Sequence, residues 1–163
     1  MITGKIPLKT RPPLRIICDT KEQRPLLWKG YDGVIVGRDS LTEGDYSIAG
    51  HDLPGDDYSI VIERKKNCNE LLTNLGTKWE QFRNEAERLR PYYFKQIVVC
   101  DLPNFEHLYE QGLTKMHPGF VYRQLAILAT EYDFTTTFMP SPEAAENYIF
   151  RLFTRMQKLA YDN

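Results

Sequence analysis

Asp45, Glu63 and Lys65 have side chains that could act together, because the turn between them sets a register. Short β-runs, Tyr46-Ser47-Ile48 and Ile60-Val61-Ile62, flank Pro54-Gly55, and Pro-Gly punctuates hairpins. Symmetric pairing about that turn places Ile48 opposite Ile60, Tyr46 opposite Ile62 and Asp45 opposite Glu63. The strand period of two then puts Lys65 on the face of Glu63 and turns Arg64 with Ile62 to the other face, which reads as the core side. Opposed Cβ atoms lie about 4.5–5.5 Å apart, and two carboxylates that close repel unless a cation relieves them. Oxygen ligands without clustered histidines favour Mg²⁺ or Mn²⁺, with Asp45 and Glu63 as ligands and Asp19 and Glu22, at the end of an upstream strand, as further ones. Lys65 would orient or deprotonate an attacking water while the metal stabilises a pentacoordinate phosphate, so phosphate chemistry is expected.

In a chain that is 26% charged, the same spacing also reads as solvated charge, and so does the cluster Asp19, Lys21, Glu22 and Arg24. The wording of three segments carries more. IICDTKEQRPL, EGDYSIAG and VIERKKNCNELLTNLGTKWEQF resemble the nuclease domain of the XPF-type structure-selective endonucleases, within the PD-(D/E)xK superfamily, over residues 14–101. The resemblance implies a restriction-endonuclease-like α/β fold, a mixed central sheet flanked by helices. It implies metal binding by Asp45 and Glu63, acidic support from Asp19 and Glu22, and catalytic parts for Arg64 and Lys65. It further implies Mg²⁺- or Mn²⁺-dependent cleavage of branched or flapped DNA to 5′-phosphate and 3′-hydroxyl ends. Two departures stand out. Asn69 occupies the position where the family often has Asp, with Glu70 next to it, and no glycine follows Gly119 for the hairpins of helix-hairpin-helix modules. A stand-alone nuclease domain of the phage or mobile-element kind is therefore expected. A non-catalytic DNA-binding subunit and a Holliday-junction resolvase-like enzyme are the rival readings.

The elements that must hold these residues follow from periodicity. Residues 1–13 read as a tail and 14–163 as one domain. Strands are expected at Leu14 to Asp19, Val34 to Val36, Gly44 to Ala49, Tyr58 to Lys65, Ile97 to Cys100 and Phe134 to Met139. A short helix with Leu71, Leu72 and Leu75 ends at Gly76. A second opens on a Thr77/Glu80 capping box, buries Trp79, Phe82, Ala86 and Leu89, and stops at Pro91. Phe105 and Leu108 mark a short helix, Phe120 to Tyr132 a longer one, and residues 141–159 the last.

The 163 residues carry 21 basic and 22 acidic side chains, a formal charge of -1, which argues against binding nucleic acid through bulk charge alone. The basic groups cluster after the ERK segment instead, and Lys66, Lys78, Arg83 and Arg88 are the expected DNA contacts. Cys18, Cys68 and Cys100 have no zinc or redox spacing and should be buried thiols. The chain reads as soluble and intracellular, cytoplasmic in a bacterial or phage-infected host and nuclear in a eukaryote. Tyr148, Ile149, Leu152, Phe153, Met156 and Leu159 form a broad apolar face on the last helix, expected to support a homodimer as well as the core.

Overall fold

The structure, a computed structural model, describes residues 13–162; most of the expected tail lies outside them. Eleven elements follow one another among the described residues. They are β1 (Leu14–Asp19), β2 (Val34–Asp39), β3 (Tyr46–Ile48), β4 (Ile60–Lys65), α1 (Cys68–Leu75), α2 (Trp79–Arg88), β5 (Phe94–Val99), α3 (Phe105–Glu110), α4 (Pro118–Tyr132), β6 (Thr135–Phe138) and α5 (Pro142–Asp162). The strands form one mixed sheet in the order β2-β1-β3-β4-β5-β6. β3 runs antiparallel to both β1 and β4, and the remaining pairs are parallel.

Both faces of the sheet are covered. Val61, Ile97 and Val99 pack with Leu71, Leu75, Phe82, Val121 and Leu128 from α1, α2 and α4. On the other face Ile16, Tyr46, Ile48, Ile60 and Ile62 pack against Ala145, Ile149, Phe153 and Met156 of α5. This two-sided burial explains why Ile60-Val61-Ile62 of β4 and Ile97-Val98-Val99 of β5 read as continuous apolar runs, whereas β1 alternates, with Arg15 exposed. It also means that the face bearing Glu63 and Lys65 is roofed by helices.

The register expected for the hairpin is present, with Tyr46 opposite Ile62. Asp45 prolongs the pairing, its N–H donating to the Ile62 carbonyl at 2.9 Å. Gly44, just before it, adopts φ +80, and a Cβ there would meet Val61 Cγ2 at 2.1 Å. Only glycine fits both the conformation and the space.

One expectation is corrected. The Thr77/Glu80 capping box does not form, because α2 starts one residue later, at an Lys78 cap without a side-chain hydrogen bond. Lys78 N–H donates to the Thr73 carbonyl and Trp79 N–H to the Gly76 carbonyl, so the preceding turn satisfies the opening of α2. The apolar face of α5 is spent mainly on the sheet. Ile149 and Phe153 are fully buried, and Tyr148, Phe150 and Leu152 are packed against the same core. Phe153 is therefore a core residue and presents nothing to a partner. The three cysteines are free and buried, as expected. No helix among the described residues is long and apolar enough to cross a membrane.

Candidate active site

A groove of about 1090 Å³ opens where β3 starts, β4 ends and α1 begins, lined in part by Glu22, Asp45, Glu63, Arg64, Lys65 and Glu70. Its chemical centre is a triad of charged groups. Lys65 Nζ donates to Glu63 Oε1 at 3.1 Å, with only 6% and 15% of the two side chains exposed. The ammonium also lies 4.9 Å from the centre of the Phe82 ring, whose face favours a cation. Asp45 is aimed by backbone, its Oδ2 accepting the Arg64 N–H at 2.7 Å. The carboxylate thus takes the place a carbonyl would have if β3 ran on alongside β4.

Two half-buried carboxylates against one ammonium leave an excess of negative charge. Burial, then the Glu63 carboxylate, push the Asp45 carboxyl well above the usual carboxylate range, against the Arg64 amide and Lys65. Burial also raises Glu63, with Lys65 opposing it. Burial would lower Lys65, but Glu63 and Asp45 outweigh it and hold the ammonium charged beyond its ordinary range. Such a cluster gains from a divalent cation. Among the described residues no three His, Cys, Asp or Glu side chains form a metal cage, but Mg²⁺ typically takes one or two carboxylates and completes its shell with water and phosphate. Asp45 and Glu63 therefore fit such an ion.

The other expected residues divide. Glu22 lines the groove, and its carboxylate lies 3.7 Å from Arg64 Nη1. Asp19 is buried but does not line the groove: Oδ2 accepts the Lys21 N–H at 3.1 Å and Oδ1 the Leu41 N–H at 2.9 Å. It shapes the loops after β1 and before β3. Arg64 points to the opposite side of β4 from Lys65, as the strand period requires, and donates to the Arg24 carbonyl at 2.7 Å. With its Glu22 contact, it ties down the loop after β1. That loop is anchored again farther on, where the Trp28 backbone N–H reaches Glu146 Oε2 and the Trp28 indole reaches the Glu146 carbonyl, both at 2.8 Å. Glu70 completes a reciprocal cap of α1: Asn67 Oδ1 accepts the Glu70 N–H, and Glu70 Oε2 accepts the Lys66 N–H. Its position beside Asn69 is thus used structurally.

Lys66 and Lys78 line the groove and Arg83 and Arg88 do not. Arg83 pairs with Glu80 and Arg88 with Glu43. Lys21 and Arg24 also line the groove; their place on a turn-rich loop gave no periodic signal. Glu85 is a further participant that the sequence pattern did not single out. Burial raises its carboxyl while Lys65 and Arg88 lower it, and it lies one turn beyond Phe82, on which Lys65 rests. The i, i+3 spacing from Phe82 was the available signal.

No protein-family model matches this chain, and no curated protein matches it. Solved structures do. XPF from Aeropyrum pernix in complex with DNA superposes with a TM-score of 0.64 at 20% identity, covering 91% of this chain and 66% of that one. A second structure of XPF from Aeropyrum pernix gives a TM-score of 0.65 at 22% identity, covering 86% of this chain and 65% of that one. The chain thus spans just under two thirds of the XPF chains it matches. At these identities the likeness is one of fold, and the six-stranded mixed sheet between α1–α4 and α5 is the restriction-endonuclease-like α/β fold of XPF.

Proposed function

We propose that this chain is a metal-dependent DNA endonuclease that hydrolyses phosphodiester bonds in branched or flapped DNA, leaving 5′-phosphate and 3′-hydroxyl ends. The observation that carries the reading is the triad of half-buried Asp45 and Glu63 with buried Lys65, net negative and open to a groove with cationic side chains along it. Asp45 and Glu63 would hold Mg²⁺ or Mn²⁺, which supplies Lewis-acid stabilisation of phosphoryl oxygen and a more acidic bound water. Lys65, kept charged by Glu63, is a donor: its ammonium orients a water or a phosphate oxygen rather than removing a proton. Arg64 acts through the loop it clamps, keeping Glu22 at the groove. Asp19 is assigned to that loop and not to metal. Lys21, Arg24, Lys66 and Lys78 would receive backbone phosphates. That one matched relative is an XPF complex with DNA supports nucleic acid as the ligand.

A pair of chains addressing two arms of a junction belongs to the same proposal, with a surface other than Phe153. The non-catalytic reading is disfavoured because both carboxylates and the lysine are present and assembled. The deciding experiment is a panel of end-labelled flap, fork, Holliday-junction and plain duplex DNAs incubated with Mg²⁺ or Mn²⁺. Expected is cleavage near a branch that stops on chelation. Intact DNA of every form with either metal would overturn the assignment.

A further inference from the structure

A second recess, of about 580 Å³, lies on the other flank of α1 and is lined chiefly by apolar groups, among them Leu72, Leu113, Met116 and Phe120. Leu113 is 68% exposed and Phe120 39%, unusually open for large apolar side chains that share one hollow. The backbone of the turn is kept close: a Cβ on Gly76 would meet Met116 Sδ at 3.0 Å and the Leu72 carbonyl oxygen at 3.2 Å. Thioether and phenyl walls of this kind adapt to flat rings.

The recess adjoins the catalytic groove. Asn69 and Thr73, one turn apart on α1, line both. The surroundings also favour phosphate. No Asp or Glu lines the recess. Lys78 follows lining Thr77, and Lys115, exposed, sits between lining Thr114 and Met116. Among the described residues neither lysine is in an ion pair. Phe120 itself stands in the first turn of α4, the positive end of a 15-residue helix.

We infer that this recess is a subsite for an unpaired nucleotide, in which a base on the strand leaving the cleavage site stacks between Phe120 and Met116 while its phosphates meet Lys78 and Lys115. A paired base cannot present its face to side chains, whereas an unpaired one gains from stacking whatever its identity. The inference rests on the nuclease reading and adds to it the feature of the DNA that is recognised, a single strand leaving the cleavage site along α1.

The test measures binding of a fluorescein-labelled duplex with a short thymidine flap, and of its blunt counterpart, in Ca²⁺. Wild type is compared with Leu113→Ser and Phe120→Ala, after thermal melts establish that each variant is folded. Expected is a flap-over-duplex preference that falls about tenfold in each variant, and, among 2-aminopurines placed at successive positions of the flap, one that is quenched by wild type and not by Phe120→Ala. A preference unchanged in both variants defeats the subsite. So does a shift in the sedimentation of the protein alone when Leu113 is changed, since the recess would then seat a second copy. Wild type that binds neither DNA and cleaves no branched DNA defeats the nuclease reading as well; cleavage with an undisturbed preference in the variants defeats the subsite alone.

Discussion

Asp45 and Glu63 are costly residues in the metal-free protein, both raised by loss of solvent, with Glu63 further raising Asp45 and Glu85 further raising Glu63. Asp45→Asn keeps an oxygen to accept the Arg64 N–H and removes the charge. It is expected to abolish cleavage, by at least about a hundredfold given what single transition-state interactions contribute. In chelator it should raise stability by about 1 kcal/mol. The pH dependence has a definite sign. A carboxyl whose folded pKa is raised holds a proton that the unfolded chain releases, so its contribution is present below the unfolded value, about 4, and is lost as pH rises through the folded value. The melting temperature of wild type relative to Asp45→Asn should therefore fall as pH rises from acid toward neutral in chelator. A constant difference would refute the burial argument. Glu63 and Lys65 were legible in the sequence because a strand alternates and two residues must share a face. Glu85 and the loop role of Asp19 were not, since each depends on what other elements bring within reach.

At the scale of elements, the site exists because β3 and β4 are joined in one register and Gly44 lets the chain enter β3 against Val61. Gly44→Ala would force a Cβ to 2.1 Å from Val61 Cγ2 in a left-handed conformation. A cost of roughly 2–5 kcal/mol is expected, the sum of αL strain and overpacking, together with a displaced Asp45 and lost activity. Gly55 is the control: its φ is +87, but nothing lies within 4 Å of its missing Cβ, so Gly55→Ala should cost only about 1 kcal/mol. Chemical denaturation of both variants checks the contrast, and equal costs would show that the packing against Val61 relaxes freely. The hairpin was legible from two β-runs about one Pro-Gly because its pairing is local. The parallel pairings of β1 with β2 and of β5 with β6 were not, because nothing in a strand's own residues names a distant neighbour. The Thr77 cap misled for a related reason: a motif that closes an isolated helix is redundant where the turn after α1 already satisfies the same amides.

The whole molecule carries a formal charge of -1, so any affinity for DNA must come from how its charges are arranged. Two kinds of cation can be told apart in the structure. Arg83 and Arg88 stand off the groove and are neutralised by Glu80 and Glu43. Lys66 and Lys78 line the groove and are in no ion pair among the described residues. A phosphate that meets a free lysine releases a condensed counterion, whereas a paired arginine must first give up its carboxylate, so the two pairs should differ in how salt affects binding. Changing Lys66 and Lys78 together to alanine should lower the slope of log affinity against log salt by about 1.8 units on duplex DNA, close to 0.9 for each phosphate that a lysine no longer neutralises. Changing Arg83 and Arg88 together should leave the slope near that of wild type, because removing two compensated charges alters the count of released ions little. Titrations in Ca²⁺ from low to moderate salt read both slopes. Should the arginine pair carry the loss and the lysine pair none, the path of DNA would run over α2 and away from Asp45 and Glu63, and the groove would lose its claim to be the place where the backbone is cut.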